Sequence, residues 1–341
     1  MKKITILAAA LMFSGAAYAQ TSQGSTRNTT TPTAPSNPNT PQNMGSSTTA
    51  TSQGYNMDAN AYSNDSYVQQ VGDRNTITVD QTDGSGPSGT NTQPSNYGTR
   101  GNSAVAQQTG NDNTASQKQT STGVGTQRNF ERTTQAGNSS TSNQTQNGGG
   151  NTAIVDQNQG TSKNTATQSQ TGADNSAKIE QRNSATPPAA SNNTADQKQN
   201  GASNNALITQ DGTNSYASQN QMGDRNQANI QQGGGSTSNH AEQTQNGSDN
   251  VAFIYQTDPM AARNYAKQTQ TGTGNQGDIY QTTNDNYAEQ AQNGTSNYAQ
   301  TTQGYRYVPG AALNNATPST VSNASYTTQM GSNNSATVNQ R

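Results

Sequence analysis

Between residues 193 and 210 the chain fixes a side chain at every second position: Asn193, Ala195, Gln197, Gln199, then Gly201, then Asn204, Ala206, Ile208 and Gln210. The next copy follows after four residues, with Ser215, Ala217, Gln219, Gln221, Gly223, Asn226, Ala228, Ile230 and Gln232. Further copies begin at Asn239, Asn264 and Asn286, and looser ones at Asn64, Asn102, Asn164 and Asn323. Three arms, starting at Asn129, Ser140 and Asn151, fill residues 129–157 without an obvious pairing. Period two puts the fixed residues on one face of an extended strand. Each arm has a usual strand length, and the glycine between arms suits a tight turn. The unit therefore reads strand–turn–strand.

The fixed faces mix aliphatic side chains with amides. Ala206, Ile208, Ala228, Ile230, Ala252, Ile254 and Ile279 are expected to form a thin dry layer between two sheets. Burying the amides beside them is costly unless each one is hydrogen-bonded. Parallel, in-register stacking removes that cost, because each amide donates to its copy on one side and accepts from its copy on the other. The expected ladder comprises Asn193, Gln199, Asn204, Gln210, Gln221, Asn226, Gln232, Asn239, Gln245, Asn250, Gln256, Asn264, Gln270, Asn275, Gln281, Asn286, Gln292, Asn297 and Gln303. The predicted fold is all-β, a β-solenoid of stacked strand–turn–strand repeats over 64–340, cross-β when polymerised. Phe253, next to Ile254, should point outward and be only surface packing.

Outward positions fit the same register. Glu242, Lys267 and Glu289 form one column of alternating sign, Tyr216, His240, Tyr265 and Tyr287 an aromatic column, and Tyr255 and Tyr280 another. The turn inside a complete unit is always four residues. The connections between units vary, up to insertions at 82–101, 182–192 and 304–322, which carry Pro87, Pro187, Pro188, Pro309 and Pro318. Proline cannot sit in a ladder strand. One edge of the solenoid should thus be uniform and the other should carry loops.

Composition bears out the thin interior. Only 25% of the 341 residues are hydrophobic and the net charge is -2, with a mean hydropathy of -1.09. That leaves no apolar mass for a thick core, while low charge and periodic Asn and Gln argue for stacked β-structure and against plain disorder. Residues 20–63, rich in Thr, Ser, Pro and Asn without a period, read as a disordered leader. Lys2 and Lys3, the apolar run Ile4–Phe13 and the small-residue motif Ala17-Tyr18-Ala19 read as a signal peptide over 1–19. The chain has no cysteine, which excludes disulfides and a lipid-anchored start. No later apolar run is long enough to cross a bilayer. The expected product is exported and not inserted in a membrane.

The recurring N-x-A-x3-Q-x-G-x2-N-x-A-x3-Q resembles the curlin-repeat proteins, subunits of the bacterial curli amyloid. The resemblance covers 64–340 and recurs about ten times, and a pattern of that length is specific. It implies export through the inner membrane, secretion through a dedicated outer-membrane pore with its chaperones, and nucleation by a related subunit into surface-attached fibres of a biofilm matrix. The family's stacking positions carry over to the ladder amides of the units beginning at 193, 239, 264 and 286. Departures are the number of repeats, the long inserts, and Glu131 at an inward offset.

Enzyme chemistry finds no inventory, so no catalytic residue, metal ligand or cofactor is assigned. His240 is the single histidine and lies at an outward offset. Asp80, Asp156, Glu180 and Glu289 are also outward and read as solubilising charge. Glycine-rich pieces such as 147–151 lack the Lys-Ser/Thr of a phosphate loop, and near-neutral charge leaves no nucleic-acid footprint. Two functions remain: a self-assembling structural protein, or a monomeric secreted β-solenoid that binds an ordered surface such as a glycan or ice. A monomeric solenoid needs caps unlike its repeats. The last unit here ends Asn334, Ala336, Val338, Gln340 before Arg341, and such an uncapped edge favours the polymer.

Overall fold

The computed structural model describes residues 65–83, 102–121, 129–182, 192–233, 237–257, 262–304 and 323–340, with the dipeptides Thr29–Thr30 and Thr49–Ala50. The expected signal peptide over 1–19 and most of the expected leader and insertions lie outside the described residues. Within the leader, the two dipeptides pair as a short antiparallel ladder, so it is not wholly without structure.

Every described element is a strand. Ten strands form one parallel sheet and eleven another, and each strand pairs with the strands two places before and after it in sequence. Thr194–Ala202 thus lies between Thr165–Ala173 and Tyr216–Met222, while Asn205–Gln210 lies between Ser176–Gln181 and Gln227–Gly233. A chain that alternates between two parallel sheets is a β-solenoid, as the period-two repeats predict. Like pairs with like: Ala195 with Ala217, Ala217 with Ala241, Gln199 with Gln221 and Gln221 with Gln245.

The interior is a two-column zipper. Isoleucines of the 11-stranded sheet (Ile179, Ile208, Ile230, Ile254, Ile279) pack on alanines of the 10-stranded sheet (Ala166, Ala195, Ala217, Ala241, Ala266, Ala288), all fully buried. Ala206, Ala228 and Ala252 are buried as well. Each isoleucine removed from water contributes about 1.5–3 kcal/mol, and the small partner opposite keeps the sheets close enough for side chains to reach across.

The expectation of one uniform edge is corrected for the first third of the solenoid. Asp65–Val71 and Ser103–Thr109, the first arms of their units by sequence, lie in the 11-stranded sheet with the second arms of later units. Thr76–Asp83 and Thr114–Ser121 lie in the other sheet. The cause is the odd run of three arms, 129–135, 140–146 and 151–157, joined by short turns at 136–139 and 147–150. Alternation between sheets is compulsory, so an odd run inverts the phase of everything upstream. The short turns at 71–74 and 109–112 therefore occupy the edge that later carries variable connections. Insertion 82–101 leaves from the other edge.

Phe253 does face outward, opposite to Ile254, but it is not a solvent-exposed residue. It is 7% exposed and packs on Tyr255 and Tyr280, with ring centroids 6.0 and 5.7 Å away. Leu207, Asn229 and Asp278 in the same column are also buried. Glu180 is likewise no free solubilising charge, being buried and paired with Lys178 and Arg182, and Asp156 pairs with Arg132 at 2.8 Å. Alternation says which face a side chain is on, not whether that face is open.

Turn geometry sets the spacing of rungs. Gly247 has φ +128°, and a Cβ there would stand 1.9 Å from the carbonyl oxygen of Gly272 one rung on. Gly233, with no left-handed φ, would place its Cβ no closer than 3.4 Å to Asp211 and Thr257. Gly247→Ala should therefore cost about 3 kcal/mol or more, and Gly233→Ala should stay within about 1 kcal/mol of the parent. Urea midpoints of the β-sheet circular dichroism signal measure both, and equal midpoints would refute this account of the turn.

Candidate functional site: the internal amide ladders

A glutamine at the sixth offset of every arm begins a continuous chain of side-chain hydrogen bonds. In the 10-stranded sheet Nε2 of Gln199 donates to Oε1 of Gln221 at 2.8 Å, Gln221 to Gln245 at 2.9 Å, Gln245 to Gln270 at 2.9 Å and Gln270 to Gln292 at 2.8 Å. In the other sheet Gln210 donates to Gln232 at 3.0 Å, Gln232 to Gln256 at 2.9 Å, Gln256 to Gln281 at 2.8 Å and Gln281 to Gln303 at 2.8 Å. A second column at the fourth offset runs Gln197, Gln219, Gln243 and Gln268, each 2.9–3.0 Å from the next. All these bonds point the same way along the stack, each rung donating to the one that follows it in sequence.

The second hydrogen of nearly every ladder Nε2, Gln268 being an exception, has a use that sequence reasoning missed. It crosses the interior to a backbone carbonyl of the opposite sheet. Gln245 donates to the Gln227 carbonyl at 2.9 Å, Gln256 to that of His240 at 3.1 Å, Gln281 to that of Tyr265 at 2.9 Å and Gln303 to that of Tyr287 at 2.8 Å. One amide thus ties rung to rung and sheet to sheet. Such a bond is worth about 1 kcal/mol net, and losing one partner orphans the other at about 1–3 kcal/mol.

Asparagines at arm starts run the opposite way. Asn226 donates its backbone N–H and its Nδ2 to Oδ1 of Asn204 at 3.0 and 3.1 Å. Its Nδ2 also reaches forward to the Gly247 carbonyl at 2.8 Å. Asn204, Asn250, Asn275 and Asn297 repeat this forward bond to Gly223, Gly272, Gly294 and Gly331. The turn glycine is thereby also an acceptor, because its carbonyl lies over the next asparagine.

The other asparagine column departs from the expected symmetry. Oδ1 of Asn239 and of Asn264 accepts the backbone N–H of Asn264 and Asn286 at 3.0 and 2.8 Å, but both Nδ2 groups are buried without a partner. The expectation that every fixed amide both donates and accepts is corrected at these two. They follow variable connections, so no turn-glycine carbonyl lies above them. Asn193 and Asn286 find substitutes in the Gly212 and Thr283 carbonyls at 2.7 and 2.8 Å.

Glu131 interrupts an alanine column, between Ala104 and Ala153. It is 0% exposed, neither carboxylate oxygen has a partner, and burial pushes its carboxyl well above the ordinary 4.5. On the outer face of the 10-stranded sheet the aromatic column is formed as expected. His240 stacks between Tyr216 and Tyr265 with centroids 4.7 and 5.0 Å apart, and its Nε2 lies 2.8 Å from Glu242. Glu242, Lys267 and Glu289 are in register. Among the described residues no group of three or more His, Cys, Asp or Glu is placed to hold a metal ion, and no described helix is long and apolar enough to cross a membrane. A scan of protein-family models gave no match for this chain, and neither did a search of curated proteins.

Two expectations follow from this geometry. Asn250→Ala strips partners from the Asn275 N–H and the Gly272 carbonyl and should cost about 2–4 kcal/mol. Asn264→Ala removes an already unpartnered Nδ2 and orphans only the Asn286 N–H, so it should cost less, about 1–2 kcal/mol, a difference that urea unfolding resolves. Burial raises the folded value of Glu131, and below 4.5 its carboxyl is protonated folded and unfolded alike. As pH rises past that value the unfolded chain releases the proton and the folded one holds it, so stability falls with rising pH. Glu131→Ala should be the more stable protein at about pH 7 and should lose this slope; a parent and variant with parallel pH profiles would contradict it.

Proposed function

We propose that the chain is a self-assembling structural subunit of an extracellular amyloid fibre of the curli type, contributing to biofilm matrix and surface adhesion. The observation that carries this reading is the in-register amide ladder. Each rung presents the next with the same row of alanine, isoleucine, asparagine and glutamine at the same heights. A rung from a second copy is chemically equivalent to the next rung of the same chain. The outermost described strands pair on one side only. In the strand Ser335–Gln340 the inward Ala336, Val338 and Gln340 are half-buried, where their counterparts Ala252, Ile254 and Gln256 are buried. Partly covered core positions along an edge of unpaired backbone are a template for a further strand.

The remaining parts of the proposal rest on the resemblance to the curlin repeats and on the N-terminal sequence. The principal partner is the chain itself, with a related subunit as nucleator and a secretion pore with chaperones as its route out. The site of action is outside the cell, attached to its surface. No catalytic role is proposed.

The test is assembly. Chain from Gln20 onward, incubated after removal of denaturant, should pass from coil to β-rich fibres that shorten the lag of fresh chain when added as seed. Oriented fibres should diffract near 4.7 and 10 Å, the strand and sheet spacings. A folded species that stays monomeric at high concentration for days would overturn the proposal and favour the surface-binding monomer.

A further inference from the structure

The aromatic column on the outer face of the 10-stranded sheet has a chemistry that stacking alone does not use. Tyr265 and Tyr287 are register neighbours, with ring centroids 4.9 Å apart and planes 11° from parallel. The stack continues through His240 to Tyr216 on one side. On the other it meets Tyr326 at 5.3 Å, tilted by 43°. All four of Tyr216, His240, Tyr265 and Tyr287 are half-buried, so an oxidant reaches their exposed edges from solvent while the sheet holds them in place. The Tyr287 hydroxyl donates to Oε1 of Glu289. A phenol beside a carboxylate can give up its electron and its proton together, and a second ring stacked on the first spreads the positive hole. Desolvation and the neighbouring Glu242 and Glu289 carboxylates hold Tyr265 above the ordinary phenol value, so at neutral pH both phenols keep their protons until oxidised.

We propose that this column is a site of one-electron oxidation, and that its product is a covalent carbon–carbon bond between Tyr265 and Tyr287. The oxidant is of the haem-peroxidase class, with hydrogen peroxide as the terminal electron acceptor. Each phenol loses one electron to the oxidant and one proton, that of Tyr287 going to Glu289 and that of Tyr265 to solvent. The two phenoxyl radicals couple through ring carbons ortho to oxygen. Each coupled carbon then loses its hydrogen as a proton while a phenoxyl oxygen regains one, which restores both aromatic rings. The net change is loss of two hydrogen atoms from the pair and reduction of one hydrogen peroxide to two waters. The bond staples adjacent rungs outside the amide ladder.

Geometry selects this pair. Tyr255 and Tyr280 share a register position on the other sheet, but their rings lie 6.2 Å apart at 53° and Tyr280 is buried. Both tyrosines of the proposed bond belong to one chain, so the inference stands whether or not the protein forms fibres.

The experiment treats dilute full-length chain with a haem peroxidase and hydrogen peroxide, then digests it with trypsin. Expected is a species joining peptide 264–267 to peptide 268–306 with the mass of two hydrogens missing, dityrosine fluorescence, and a yield per chain independent of protein concentration. Tyr265→Phe and Tyr287→Phe keep the stacked rings and should each abolish the species. Tyr255→Phe should leave it intact. Glu289→Gln, which keeps the hydrogen-bonding shape without the proton acceptor, should slow its formation several-fold at neutral pH. Cross-links that persist in Tyr287→Phe, that run through Tyr280, or that scatter over the tyrosines in order of exposure would overturn the proposal. So would a yield that rises with concentration, the mark of coupling between chains.

Discussion

A primary amide sealed in a dry interior must find both an acceptor for its hydrogens and a donor for its oxygen, and few arrangements supply both from identical neighbours. Parallel, in-register stacking does so, because each copy meets the next displaced by one strand spacing. The glutamine columns from Gln199 to Gln292 and from Gln210 to Gln303 satisfy this demand with one sense throughout. Much of the rest is subordinate to it. Strands are parallel because antiparallel neighbours would not align the offsets. Alanine faces isoleucine because a wider gap would break the cross-interior bonds from Nε2 to the opposite backbone. Glycine occupies the turn because the next rung's carbonyl stands where a side chain would be.

The same demand shows where the structure is soft. Asn239, Asn264 and Asn164 carry unpartnered Nδ2 groups, each at an arm that follows a variable connection. Beyond the three-arm run, the edge that carries the variable connections is thus also the edge where these asparagines are incompletely bonded. Glu131 is a different kind of weakness, a carboxyl in a column of alanines that is held neutral by burial. It lies in the first arm of the three-arm run at which the phase of the coil inverts, so that junction also carries a desolvated carboxyl.

The two outer faces divide labour. That of the 11-stranded sheet carries a buried central row that includes Ile154, Leu207, Asn229, Phe253 and Asp278, and Asp278 is pushed up to about 7 mainly by desolvation. That of the 10-stranded sheet is half-open, and there the stacked rings and their carboxylate partners lie within reach of small molecules.

Much was legible along the chain, because the repeat is a direct image of the contact pattern. Period two decided which residues point inward, so Ile208, Ile230, Ile254 and the sixth-offset glutamines from Gln199 to Gln303 were placed without coordinates, while the ladder formed by Gln197, Gln219, Gln243 and Gln268 was not named. Like-with-like stacking followed from the cost of burying amides, and the aromatic column followed from the register. What only the tertiary structure decided were matters that no single arm encodes. The two arm types differ mainly at the fourth offset, glutamine in one sheet except at Val79 and Thr327, and an aliphatic residue or threonine in the other. Gln117 and Gln144 in the arms at 113 and 140 could have betrayed the inverted phase. The assignment nonetheless depends on counting strands around the whole coil. The second bond of each glutamine depends on the distance between sheets, which is a property of both strands at once. Burial of Phe253 depends on the rings of Tyr255 and Tyr280 beside it, the second from the neighbouring rung. Local alternation is a short-range signal, whereas sheet membership, cross-interior bonding and coverage of an outer face are set by chain that is distant in sequence.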